Sequence, residues 1–341
     1  MYIIHCIIKG LKKQVGVIKN LCASYYSMKN GGKEMSLFLP EGNLINTAEN
    51  MSYIQSPEKL AEAMRKGKIL EARALLCDRS HNLHLRLGEM RAIIPREEGA
   101  VGIREGSVRD IAVISRVNRP VCFVVTDITT DTDGKPLAVL SREKAQKICM
   151  ENYIDLLIPG DIIGAKVTRL EKFGVFADIG CGISALMPID AISVSRIEHP
   201  SERFSVGMDI KAVIKSVEGG RISLSHKELL GTWEENARQF SAGETVTGII
   251  RSVESYGAFV ELTPNLAGLA EPNPTVEKGM KASVFIKSII PEKMKVKLIV
   301  IDTFPYVGTP EAPRYFNSGD HIDRFVYSPS GSFKKSETLF N

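Results

Sequence analysis

The sequence is poor in the marks of catalysis, secretion and membrane insertion. Its 341 residues contain no GxxxxGK(S/T) phosphate loop, no GxSxG nucleophile turn and no HExxH metal-binding helix. Asp161, Asp178 and Asp190 are too scattered to argue for a two-metal nuclease site. No enzyme is therefore expected, with no cofactor, no metal and no small-molecule substrate. The six cysteines, at 6, 22, 77, 122, 149 and 181, form no CxxC and no paired spacing. They read as free thiols of a reducing, cytoplasmic compartment, and those beyond residue 35 as small buried hydrophobes. Long apolar runs are missing too. The run from Ile3 to Ile8 is interrupted by His5 and followed by lysines, so it is too short for a membrane span and wrongly flanked for a secretory signal. Strong charge is missing from the body. The net charge of +4 hides six lysines against one acid in residues 1–34, which leaves the remainder at −1. Attraction for phosphates must come from local patches, such as Lys281, Lys287, Lys293, Lys295 and Lys297, and should be modest and salt-sensitive.

What is present is a long internal repeat. Gly160-Asp161, Phe173-Gly174, Phe176 and Leu186 return 83 residues later as Gly243-Glu244, Tyr256-Gly257, Phe259 and Leu269. KAVIKSV (211–217) returns 72 residues later as SVFIKSI (283–289), so the second copy is 11 residues shorter between. Each copy reads as five short strands with glycine-marked turns, in the first about 162–169, 175–179, 184–188, 209–217 and 221–225. A polar stretch, 190–206, separates strands three and four. This pattern suits a small Greek-key barrel of the oligonucleotide-binding type, so the fold class is mainly β, with tandem five-stranded barrels joined by short helices.

The second strand locates a candidate face. Val175, Ala177 and Ile179 alternate with Phe176 and Asp178, and Ala258, Val260 and Leu262 with Phe259 and Glu261. A period of two sends alternate residues to opposite faces. The aliphatics belong inside, which leaves each Phe outside beside an acid, near Phe173 or Tyr256. An outward aromatic pair is a stacking platform for unpaired bases, and it tolerates any sequence. The competing expectation is that the rings are covered by 190–206 or by a neighbouring domain.

GDIIGAKVTRLEKFGVFADIG, ALMPI and GRISLS resemble the S1 RNA-binding domain family, named for ribosomal protein S1. The resemblance covers both copies almost end to end. It implies an RNA face of two aromatics, a His, an acid and a basic residue. The first copy supplies Phe173, Phe176, Glu218 and Arg221, with Pro188 where the His is usual. The second supplies Tyr256, Phe259 and Lys295, with Glu271 in place of the His and no acid near Ile290-Pro291.

Taken in order, residues 1–55 read as a flexible segment. The codon families of Gly31-Gly32-Lys33-Glu34 accommodate a purine-rich ribosome-binding site just before Met35. Met35 is then the expected start, which the intact mass of the native protein decides; the alternative is a basic arm that helps hold RNA. Residues 56–150 read as a degenerate S1-like barrel after the Ser56-Pro57 helix start. Matching Gly88 to Gly180 turns Leu83, Leu85 and Leu87 inward and puts His81 and His84 where Phe173 and Phe176 sit. A helix from Ser141 to about Leu157 joins barrels one and two. Residues 158–228 and 243–302 are the two S1-like copies. A linker helix, 229–242, lies between them, docked by Trp233 and Phe240. Residues 303–341 form a tail with a hairpin turning at Ser328–Gly331, whose Phe325 and Tyr327 can pack back on a barrel.

The resemblance implies a protein that binds single-stranded RNA through the two later barrels. It further implies messenger RNA held for translation on the small ribosomal subunit, with the first barrel docking a protein. Three rivals are a non-ribosomal RNA-binding regulator, a protein-interaction scaffold that has lost RNA, and an accessory subunit of a ribonuclease.

Overall fold

The computed structural model describes residues 38–340, apart from 132, 307 and 309. The expectations for residues 1–34, with Cys6 and Cys22, lie outside the described residues. Among these residues three closed five-stranded barrels follow one another. Barrel one comprises β1 (Leu70–Cys77), β2 (Leu83–Leu87), β3 (Met90–Ile94), β4 (Pro120–Thr130) and β5 (Pro136–Ser141). Barrel two comprises β6 (Ile162–Glu171), β7 (Gly174–Asp178), β8 (Ser184–Pro188), β9 (Asp209–Glu218) and β10 (Arg221–Ser225). Barrel three comprises β11 (Thr245–Glu254), β12 (Gly257–Thr263), β13 (Leu266–Ala270), β14 (Lys281–Ile290) and β15 (Lys295–Phe304). In each, the first strand pairs antiparallel with the second and the fourth, and the third runs parallel to the fifth. No helix of the described residues is long and apolar enough to cross a membrane.

The alternation explains the closure. Val175, Ala177, Ile179, Ala258 and Val260 are buried, as are Leu83, Leu85 and Leu87 of barrel one. Each first strand carries a bulge, between Ala74 and Leu76, Val167 and Arg169, and Ile250 and Ser252. An extra residue there bends the strand and raises its twist, which a five-stranded sheet needs in order to close. Glycine opens the second strand because its neighbour is close: a β-carbon on Gly257 would fall 2.2 Å from the Ala270 carbonyl oxygen.

The acids that sequence alternation places beside the rings are not at the surface. Asp178 and Glu261, equivalent in the two copies, are both buried. Each is used at the joint with the preceding part of the chain. Asp178 accepts the Glu41 N–H at 2.7 Å, and the N–H groups of Gly180 at 2.9 Å and Gly182 at 3.1 Å. Glu41 in turn takes Arg142 Nε at 2.6 Å and Nη2 at 3.1 Å, with the Cys122 N–H at 3.1 Å. Burial and the neighbouring Glu41 carboxylate push Asp178 up to about 7, while the Arg142 and Arg116 guanidinium groups hold Glu41 below the usual carboxylate range despite its burial. Glu261 accepts Arg251 at 2.9 and 3.0 Å and also pairs with Arg203 from the 190–206 stretch of barrel two.

Three further expectations are corrected by packing. Residues 39–55 are not a flexible arm. The Glu71 carboxylate collects the N–H groups of Gly42, Leu44 and Ile45, and a short helix, Ala48–Ile54, follows with Thr47 as its cap. Polar groups hold this segment, so it has no apolar periodicity to announce it. The helix after barrel one runs only from Arg142 to Asn152, followed by a turn at Ile154–Leu156. The linker between barrels two and three is broken: Lys227–Leu229 is one tight turn, Gly231 takes φ +84°, and Trp233–Ala237 is a separate helix capped by Thr232 with Glu235. Trp233 is buried in the core of barrel three with Phe240 against it.

The tail returns to both later barrels. Arg324–Val326 pairs with Glu337–Leu339 as β16 and β17. Ile322 and Phe340 pack with Val213 of barrel two and Leu229 of the turn that follows it, and Tyr315 and Phe325 join them. Tyr327 packs on the core of barrel three and donates its hydroxyl to the Asn265 carbonyl at 2.6 Å. The side chain of the fully buried Asn265 accepts from the Val194 N–H at 3.0 Å and donates to the Lys227 and Gly231 carbonyls, each at 2.8 Å.

Candidate nucleic-acid interface

The outward positions of β7 and β12, with the residue just before each strand, carry two ring pairs of one design. Phe173 and Phe176 stand with centroids 6.0 Å apart and planes at 89°. Tyr256 and Phe259 stand 6.3 Å apart at 88°. In each pair the first ring is the free one, Phe173 at 55% and Tyr256 at 60% exposure, while the second is half-buried and braces it. Phe173 and Tyr256 are therefore left uncovered by the 190–206 stretch and by the other barrels. Edge-to-face contact favours this arrangement, and it leaves apolar ring surface toward solvent at the same place twice.

Register sets what surrounds the rings. In barrel two, Phe176 lies opposite Leu186, and Leu186 opposite Ser223. Pro188 lies opposite Gly174, at the Phe173 end of this row. Arg221 is two residues before Ser223, so it falls on the other side of the row, with Glu218 directly opposite it across the Gly219-Gly220 turn. Both are exposed. The structure therefore brings Phe173 and Phe176 together, and Glu218 with Arg221, as two neighbouring groups rather than one cluster. In barrel three the row is Phe259, Leu269 and Lys297, with Lys295 one same-face step along. Glu271 stands at the Tyr256 end, where it pairs with Lys287 at 3.0 Å.

Sequence reasoning missed Arg169. It lies opposite Phe176 in the β6–β7 ladder, and its guanidinium carbon is 4.6 Å from the Phe176 centroid. A cation over a ring face is attracted by the ring quadrupole, and its planar group offers a second surface on which a base can lie. The signal was available: a period of two from the hairpin places residue 169 beside 176. Barrel three has Ser252 at the same register.

Barrel one has the same strands without such a face. His81, at φ +63°, lies 3.1 Å from Asp110 through Nδ1, and His84 lies 2.9 Å from Asp78 through Nε2. Asp78 is held well below the usual carboxylate range by His84 and by the N–H groups of Asn82 and Ser80. The histidines are tied to separate carboxylates instead of to each other.

Residues 157–227 match the S1 RNA binding domain. The chain is 34% identical over 169 residues to the small ribosomal subunit protein bS1 of Staphylococcus aureus, a match that covers 46% of this chain and 43% of that protein. It is 32% identical over 206 residues to the bS1 homolog of Bacillus cereus, covering 51% of this chain and 54% of the relative. The chain thus spans about half the length of the curated relatives it matches. Among solved structures, a multidomain protein with nucleic acid binding domains from Streptococcus pneumoniae is 14% identical, with a TM-score of 0.24, over 69% of this chain and 74% of its own.

Proposed function

We propose that this chain binds single-stranded RNA through the outer faces of barrels two and three. The observation that carries the reading is the duplicated ring pair, with one exposed ring in each at 6.0 and 6.3 Å from its brace. Unpaired bases stack on such rings, and Arg169, Arg221, Lys295 and Lys297 stand near enough in register to meet the backbone phosphates. The likeness to bS1 over half the chain supports a finer reading, in which the RNA is messenger and the chain holds it on the small ribosomal subunit in the cytoplasm. Barrel one, without an exposed aromatic pair, is the part left to dock a protein. Because the two faces are joined through Glu261, Asn265 and the tail, two modest sites act as one tethered site.

Fluorescence anisotropy of a labelled single-stranded RNA tests the binding. The expected result is salt-dependent binding that is lost in a folded variant carrying Phe173→Ala, Phe176→Ala, Tyr256→Ala and Phe259→Ala. No binding by the parent protein even at low salt sinks the reading in favour of a protein scaffold. Co-sedimentation with small ribosomal subunits tests the finer part, and absence from that fraction at low salt points to a free RNA-binding regulator.

A further inference from the structure

The two faces differ at Arg169, which is Ser252 in barrel three, and at Pro188, which is Glu271, and the second difference has the chemistry of base recognition. Leu269 and Glu271 project from the outer side of barrel three, as Phe259 does, while Ala270 between them is buried. Glu271 is the residue next to Ala270, and Ala270 lies opposite Ala258, so Glu271 sits at the edge of the platform made by Tyr256 and Phe259. Lys287 comes from β14 and reaches over β15 to meet its carboxylate at 3.0 Å. Both side chains are more than half exposed, at 62% for Glu271 and 55% for Lys287. An ion pair so exposed adds little to stability. Barrel two retains the lysine as Lys215 but has Pro188 in place of the glutamate, so its platform has no carboxylate there.

We propose that the Glu271–Lys287 pair reads the edge of a base stacked on Tyr256 and that it selects guanine. This rests on the RNA-binding reading above. Guanine presents two adjacent donors, N1–H and N2–H, followed by the O6 acceptor. A carboxylate accepts both donors at once, and an ammonium beside it donates to O6, so the pair on the protein meets a complementary row on the base. Adenine and cytosine each offer one amino donor beside a ring acceptor, which faces the carboxylate unfavourably. Uracil offers one N–H flanked by two carbonyl oxygens. Reading the Watson–Crick edge of a base stacked on an aromatic ring is the usual way single-stranded RNA is recognised in sequence. Barrel two, with Pro188, stacks without reading, and the chain joins a tolerant site to a selective one.

The test uses the full chain carrying Phe173→Ala and Phe176→Ala, so that binding reports barrel three. The probes are a short labelled uridine oligomer and the same oligomer with guanine, adenine or cytosine at alternate positions, measured by anisotropy. The guanine oligomer is expected to bind about fivefold tighter than the others. Adding Glu271→Ala should bring the guanine oligomer to the same affinity as the uridine oligomer, and Lys287→Ala should reduce the ratio between the two. In the reverse direction, Pro188→Glu in a chain carrying Tyr256→Ala and Phe259→Ala should confer a guanine preference on barrel two. Equal affinity for all four oligomers, or a preference that survives Glu271→Ala, overturns the assignment while RNA binding stands. Failure of this variant to bind any oligomer overturns the assignment together with RNA binding by barrel three, and failure of the parent chain in the same assay overturns the whole reading on which it rests.

Discussion

Barrel one and the two later barrels share a strand order, a bulge in the first strand and a row of aliphatics turned inward. They part company outside. The later barrels set one ring against another and leave the first exposed, whereas barrel one sets His81 on Asp110 and His84 on Asp78. Inward positions are constrained by packing, where a single methylene is felt. Outward positions answer only to what they meet, so one architecture carries a stacking face in two places and a polar surface in a third. The joints between barrels fall on the same logic: of the equivalent acids outside the barrel cores, Asp178 was free to take the Glu41 N–H and Glu261 to take Arg203 from barrel two.

The comparison can be broken first at the joint. Arg142→Ala leaves the buried Glu41 with only the longer Arg116 contact at 3.4 Å, and losing one member of a buried pair costs about 3–5 kcal/mol. Urea unfolding should show that loss, with hydrogen exchange rising in 39–55 and 142–152 while the barrel two to barrel three joint stays protected. An unchanged midpoint would remove this joint from the account. The histidines give the next effect. Unlike those of barrel one, His226 is buried, accepts from the Tyr315 hydroxyl at 3.3 Å and donates to the Ile192 carbonyl at 3.1 Å, and burial lowers it to about 4. Its folded value lies below its ordinary 6.5, so the unfolded chain binds the extra proton and stability falls as pH drops from about 6.5 to 4. The loss reaches about 3 kcal/mol at the acid end. A stability difference between wild type and His226→Gln that does not vary across this window contradicts it.

Smaller effects sharpen the comparison on the outer faces. Phe173→Ala with Phe176→Ala, and Tyr256→Ala with Phe259→Ala, should each weaken RNA binding by about 1–3 kcal/mol per stacked base, read by anisotropy at one salt concentration. The smallest change belongs to barrel one. His81→Ala with His84→Ala should leave RNA affinity where it was, and a loss like that of the ring variants would make barrel one a third RNA face.

Much of this was legible in the chain. The period of two in VFADI and AFVEL turned the rings outward, and the repeat at 83 residues showed that the pairing was no accident of one copy. Leu83, Leu85 and Leu87 likewise announced a barrel in a segment with little other likeness. The hairpin register that sets Arg169 over Phe176 was readable and was not read. The partnership of Glu271 with Lys287 spans three strands and has no local signal.

The sequence by itself determined the barrels, their order and the outward rings, because alternation and glycine turns act between residues a few places apart. Tertiary structure alone decided that Glu41 meets Arg142 and Asp178, that the tail closes on Val213, and that Asn265 and Tyr327 bind two barrels together. Those contacts join residues that are tens of places or more apart. They are made by single polar side chains or scattered apolar ones, and only the folded geometry brings them within reach.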